Sequence, residues 1–382
     1  MTAGRAEIHK RSEFDFFNSL LTIEAWHMDL NELDVAPILA RHRAFWQREI
    51  LDRVCISVTA PAVKPVRWPI AKSDAERLAD PDFVVRRAEA RVQNNCYAGD
   101  ALPMVYADGN LLYPAWGGNG RFESETVWVE PSIRDWREWR DYQFDRNNIW
   151  RRRFLDCNRA LAEAAKGRWL VATQGFFGAM DAMSLIRGYE DFLMDLTVTE
   201  ADSAIRYAQQ SAVRGYKDIV HQAWDDVEHW QLGTATWPGI WAPGQINYWS
   251  ADFSCMIGAA DFEKWLVPEF TEMINLCEFS IYHLDGPDAV RHLPRIGEFE
   301  KLQGVQYTVG PQVQNDVPHW LGVAKQIQSY GKVLWLSINP ELLETVLATL
   351  DPHGLFIFTT AADAEQAERL VQQAAALTRQ PH

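Results

Sequence analysis

Cysteine is scarce in this chain: Cys55, Cys96, Cys157, Cys255 and Cys277 are five residues in 382, an odd number, widely spaced and without a C-x-x-C pair. That pattern argues against a disulfide framework and against a structural zinc site built from thiolates alone, and it fits a reducing compartment. No apolar run approaches the ~20 residues needed to cross a bilayer. The opening stretch, 1–13, is polar and lacks the apolar core of a secretory signal, so a cytoplasmic protein with no membrane partner is expected. Basic charge is also short. Lys+Arg 37 against Asp+Glu 52 leaves a formal net charge of -15, which repels a phosphate backbone. The run Arg151-Arg152-Arg153 lies in a helical pattern and reads as a solvated face, so no nucleic-acid partner is expected. There is no P-loop, no G-x-S-x-G elbow and no H-E-x-x-H, which disfavours ATP-driven chemistry and serine hydrolysis.

What the chain has is apolar mass, 47% hydrophobic against 23% charged, which calls for a packed core. Tryptophan is abundant, at 17 residues. The first 50 residues read as helical, with Phe14, Phe17, Leu20 and Leu21 at helical spacing and a second helical pattern over 35–51. Short β-branched or apolar runs then alternate with helical stretches. The runs are 53–59, 103–107, 168–173, 229–233, 279–283, 304–308, 332–336 and 354–358. The helical stretches include 75–97, 151–166, 201–226, 261–277, 317–330 and 361–378. This alternation predicts an α/β fold, a (β/α)8 TIM barrel over 51–382 with an N-terminal helical segment, 1–50, packed on it. The stretch 121–130 reads as an inserted strand or hairpin, and 233–254 as a long loop.

In such a barrel the chemistry sits just beyond the strand ends. His283 and Asp285, two apart on extended backbone, point to one face, as an acid–base pair or as two metal ligands. The alternative makes Asp285 a helix N-cap before Gly286-Pro287 and His283 a hydrogen-bonded core residue. Asp108 before Gly109 reads either as a turn residue or as a rim carboxylate. Trp237, Trp241, Tyr248 and Trp249 are interrupted by prolines and glycines and so form no helical stripe. With Trp116, Phe177, Gln174 and Gln306 they are candidate substrate-binding residues around a dry pocket, suited to a flat ligand or a quaternary ammonium. Packing of a lid loop, or a dimer contact, is the alternative for these rings.

The stretches Arg43-Ala44-Phe45-Trp46 through Asp52-Arg53, Ser250-Ala251-Asp252-Phe253-Ser254, Tyr282-His283-Leu284-Asp285-Gly286-Pro287 and Gly304-Val305-Gln306-Tyr307 resemble the uroporphyrinogen decarboxylase superfamily. The likeness runs from residue 40 or so to the C-terminus and implies a (β/α)8 barrel. It implies two chemistries. The decarboxylases carry an Arg-Gln-Ala-Gly-Arg type motif for substrate carboxylates, and the matching region here offers Pro61, Lys64 and Arg67 instead. The other branch moves methyl groups between a corrinoid or folate and a thiol, holding zinc through His-x-Cys and a later Cys. His283 matches that histidine, Asp285 replaces the first Cys, and Thr359 and Thr360 stand where the later Cys is expected. The resemblance therefore implies methyl transfer or demethylation of a small methylated substrate, with a corrinoid or tetrahydrofolate co-substrate and a corrinoid protein as partner. Zinc would be held by His283 and Asp285, with Cys255 and Asp252 as further candidates. Catalytic roles fall to His283, Asp285 and Asp108. A cofactor-free decarboxylase of a small acid or tetrapyrrole is the alternative, for which Arg121, Arg187 or Arg291 would face the cavity. A non-catalytic ligand-binding barrel is a third reading. Relatives often dimerise, so a homodimer is expected.

Overall fold

A computed structural model describes residues 33–379 except 125, 140–144, 174–175, 228–230 and 232. Runs such as Cys-Ile-Ser-Val-Thr-Ala-Pro alternate side chains between an inner and an outer face, and both faces are buried here. The strands are β1 (Cys55–Pro61), β2 (Asn95–Gly99), β3 (Met104–Val105), β4 (Asn119–Glu123), β5 (Thr126–Glu130), β6 (Leu170–Thr173) and β7 (Phe176–Phe177). They continue as β8 (Thr234–Thr236), β9 (Ile240–Ala242), β10 (Ile246–Ser250), β11 (Phe279–Asp285), β12 (Gly304–Thr308), β13 (Val333–Ser337) and β14 (Leu355–Thr360). The longer helices are α1 (Val35–Gln47), α2 (Pro81–Gln93), α3 (Ile149–Ala165), α4 (Ala179–Arg187), α5 (Asp202–Asp225), α6 (Val267–Ile274), α7 (Val317–Ser329) and α8 (Ala364–Thr378).

Seven strands run parallel in the order β1-β14-β13-β12-β11-β10-β7, and β3-β6-β8 form a second parallel ladder. The fold is thus mixed α/β and barrel-like, as the alternation predicts. The ladder does not close among the described residues. β2 turns back antiparallel on β1, Ser57 facing Gly99 and Thr59 facing Tyr97, and takes the edge that β3 would need.

Three readings of the sequence need correction. The helix expected over 75–97 is two helices, because Asp80 caps Phe83 N at 2.8 Å and Pro81 opens α2; it ends at Gln93, where β2 begins its pairing. The loop expected over 233–254 contains β8, β9 and the ladder strand β10, whose five residues are all buried. The strand expected at 229–233 begins only at Thr234 among the described residues, and the helical pattern at 14–21 lies outside them. The hairpin at 121–130 is present as β4 and β5. Among the described residues no helix is long and apolar enough to cross a membrane.

α1 closes the end at which the strands begin. Its Phe45 meets Phe356 edge-on at 5.5 Å and packs with Cys55, Ile246, Ile281 and Val333. His42 Nδ1 accepts from Trp241 N at 3.1 Å, so its Nε2–H donates to Asp100 O at 3.0 Å. Burial holds this imidazole below its ordinary pKa, against the pull of Asp100. The Asp100 carboxylate is fully buried and accepts from both Arg53 Nη atoms, from Arg41 Nε and from Ile56 N at 2.8 Å. Burial alone would raise it, but Arg53 and Arg41 hold it below the usual carboxylate range.

Candidate metal and ligand site at the strand ends

The opposite end carries the polar residues. Parallel register sets Ser250 beside His283, His283 beside Gln306, and Asp285 beside Thr308. Asp252 follows β10 by two residues, and one ligand atom each from Asp252, His283 and Asp285 lie within 4.8 Å of one another. Asp285 occupies the N-cap place of the helix Gly286–Ala289 yet makes no capping bond, so its carboxylate remains available. Gly286, at φ 69°, permits the sharp departure from β11 that leaves Asp285 at the rim.

His283 is held from behind. Its Nδ1 lies against Gln306 Oε1 and 2.9 Å from Tyr248 Oη, and Tyr248 Oη donates to Gln306 Oε1 at 2.7 Å. Gln306 Nε2 donates to Thr308 Oγ1 at 2.9 Å, which turns Oε1 toward the ring. An amide oxygen only accepts, so the imidazole proton is assigned to Nδ1 and Nε2 keeps its lone pair. Metal-binding histidines are commonly oriented in this way.

Asp252 is held through its backbone. Asp181 on α4 accepts from Asp252 N at 3.0 Å and Phe253 N at 2.7 Å. Burial pushes the Asp181 carboxyl well above its usual range, with Asp252 adding to the push. Asp252 is reached by solvent, but the packing around it raises its carboxyl too; His283 opposes the rise and Asp285 reinforces it. Crowded carboxylates of this kind are relieved by a cation. Cys255 stands outside this cluster. Burial and the nearby Asp252 push its thiol up, which opposes a thiolate ligand.

A cavity of about 450 Å³ is linked to the cluster through Gln306, which lies in its wall with Thr308 and touches His283; Asp252, His283 and Asp285 are not themselves in that wall. Tyr97, Tyr106, Trp237, Trp335 and Phe358 supply its aromatic surface. Trp335 and Phe358 stack at 5.9 Å and 20°, and Trp335 Nε1 donates to Pro238 O at 3.1 Å, steadying the turn that carries Trp237. Trp237 meets Tyr248 edge-on at 5.7 Å.

The expected residues divide accordingly. Trp237 and Gln306 line the cavity, and Tyr248 lies beneath it in the interior. Trp241 is fully buried at the α1 end, its Nε1 donating to Gln231 O. Trp249 faces outward onto Phe270 of α6 at 4.4 Å. Phe177 packs on Tyr113 and Trp116, and Trp116 donates to Ala212 O, so neither ring reaches the cavity. Trp249 and Tyr248 are adjacent on one strand, which forces them to opposite faces. Gln174 lies outside the described residues. Asp108 caps its own turn, accepting from Asn110 N at 2.9 Å, away from the His283 cluster. Arg121, Arg187 and Arg291 pair with Glu123, with Asp191 and Asp195, and with Asp288. Arg91 is the arginine that lines the cavity, and sequence reasoning missed it because α2 carries it with Arg86 and Arg87, all three exposed to solvent.

A second missed residue supports the site from outside. Glu269 on α6 is buried and accepts from Met180 N at 3.0 Å and Gln209 Nε2 at 3.3 Å, tying α6 and α5 to the first turn of α4, which carries Asp181. A Cβ at Gly178 would fall 1.9 Å from Glu269 Oε1, so only glycine permits this approach. Burial pushes the Glu269 carboxyl up to about 7, against the donors from Gln209 and Met180. The native state therefore keeps a proton that the unfolded chain loses near its ordinary value of 4.5, so this group's contribution falls as pH rises between the two. Glu269→Gln is expected to raise the unfolding free energy by about 3 kcal/mol at about pH 8, and by far less at about pH 4. Urea titrations at both pH values check this; equal shifts would contradict it.

No protein-family model matches the sequence, and no curated relative does. Among solved structures the chain resembles a methyltransferase from Methanosarcina mazei, at a TM-score of 0.57 and 10% sequence identity, over 89% of this chain and 98% of that one. At that identity the likeness is one of fold, and it is to a methyltransferase that the barrel-like architecture is alike.

Proposed function

We propose that this chain is a metal-assisted transferase that takes a methyl group from a small methylated substrate and passes it to a corrinoid or tetrahydrofolate acceptor. The convergence of Asp252, His283 and Asp285 beside an aromatic cavity carries this reading. One imidazole and two carboxylates suit zinc, which takes nitrogen and oxygen ligands, and the crowding of the carboxylates favours a cation among them. No thiolate belongs to the set, so the fit is to activation of an ether oxygen or amine nitrogen rather than of a thiol.

In the reaction the bond between methyl carbon and heteroatom breaks, its electron pair stays on the heteroatom, and the acceptor's lone pair forms the new bond to carbon. The heteroatom then takes a proton. When bound, the metal supplies the Lewis acidity that makes that heteroatom a better leaving group. Tyr248 and Gln306 keep His283 oriented through Nδ1, and Asp181 keeps the Asp252 backbone in place. Trp237, Trp335 and Phe358 exclude water from the substrate. A decarboxylase of a multiply charged acid asks for several cavity arginines, and among the described residues Arg91 stands alone there. Protein loaded with zinc and dialysed against zinc-free buffer is expected to retain about one ion per chain by elemental analysis. Natively folded protein that retains none removes the metal from the mechanism.

A further inference from the structure

We infer that the cavity takes a flat organic anion, an aromatic carboxylate, with its carboxylate on Arg91 and its ring against the aromatic walls. This deepens the reading above by naming a substrate class, but the binding itself requires no metal. Arg91 is the one charged side chain among the described residues that line the cavity, in a chain whose net charge is -15. The positive sign there runs against the composition of the whole.

Arg91 comes from the last turn of α2, and its guanidinium lies 5.2 Å from the Tyr106 ring centroid, with Nη1 3.4 Å from Tyr106 Oη. It makes no ion pair with a carboxylate among the described residues. Arg41, Arg53, Arg151, Arg168, Arg187 and Arg295 all do. A guanidinium braced on an aromatic ring and left without a counter-ion presents its planar donors to an incoming carboxylate. Arg91 also borders a recess of about 60 Å³ together with Arg77, Arg87 and Asp108, where Arg77 pairs with Asp74.

The walls select shape. Trp335 and Phe358 lie almost parallel, and Tyr97 and Trp237 complete a surface against which a ring can lie flat. Gln306 and Thr308, on strand β12 rather than on α2 with Arg91, neighbour His283 and Asp285 of the cluster. Carboxylates there repel a ligand carboxylate, so the two poles fix one orientation: charge at Arg91, the opposite end of the ring toward His283.

The probes are 4-methoxybenzoate and 4-methoxybenzamide, titrated calorimetrically into metal-stripped full-length protein. The acid is expected to bind at least about tenfold more tightly than the amide, a gap that Arg91→Met closes and Arg91→Lys partly keeps. Circular dichroism of each variant establishes that it is folded. Equal affinity of acid and amide in the wild type, or a gap that survives Arg91→Met, overturns the inference. Cyclohexanecarboxylate should bind more weakly than benzoate, and equal binding overturns its aromatic half. Zinc retention on the same preparations separates the two readings. Zinc kept without a preference for the acid sinks the anion site alone, whereas a preference for the acid without zinc sinks the metal alone.

Discussion

A His283→Ala variant is expected to bind zinc at least about a hundredfold more weakly than the wild type, while keeping its fold. Three donors meet at the rim, and the imidazole is the one nitrogen among them, aligned in advance by Tyr248 and Gln306. Its loss leaves two crowded carboxylates without the partner that draws Asp252 toward ionisation. The side chain is only half-buried near the end of β11, so its removal opens no large core void. Competition against a chromogenic zinc chelator, beside far-ultraviolet circular dichroism, measures both quantities. Affinity within about threefold of the wild type would remove His283 from the ligand set.

Asp100→Ala should be the most damaging single change away from the mouth, with an expected loss of about 3–5 kcal/mol. The carboxylate is wholly buried and accepts four hydrogen bonds from three residues: Arg53, Arg41 and Ile56. Truncation strands a buried guanidinium and a strand N–H at the start of the ladder, both of which lose their acceptor. Chemical denaturation of variant and wild type gives the comparison. A loss below about 1 kcal/mol would mean that solvent or another acid reaches Arg53.

The strands β1 and β11–β14 were legible because their β-branched runs end in Gly, Pro, Asp or His and are separated by helix-length stretches. β10 was not. Ile-Asn-Tyr-Trp-Ser is buried on both faces, so no alternation marks it, and Pro243 and Gly244 just before it imitate a loop. That misreading carried the tryptophans with it. Four rings close together in sequence are scattered by an antiparallel hairpin and by strand alternation, which separate Trp237, Trp241 and Trp249 into mouth, α1 end and outer face. His283 and Asp285 were visible because a two-residue spacing on a strand survives folding. Asp181 and Glu269 were hidden as ordinary helix carboxylates, although the first stands in the apolar run Ala-Met-Asp-Ala-Met-Ser-Leu-Ile, a signal of burial that went unread.

The seam between β2, at the edge of the large sheet, and β3 separates two jobs. Leu102 and Met104 form the side wall there, and neither belongs to the sheet that carries His283 and Asp285. Size and shape preference can consequently drift through changes at Leu102 or Met104 without disturbing the Asp252–His283–Asp285 cluster. That independence makes the seam the place to begin when retargeting the protein to bulkier ligands.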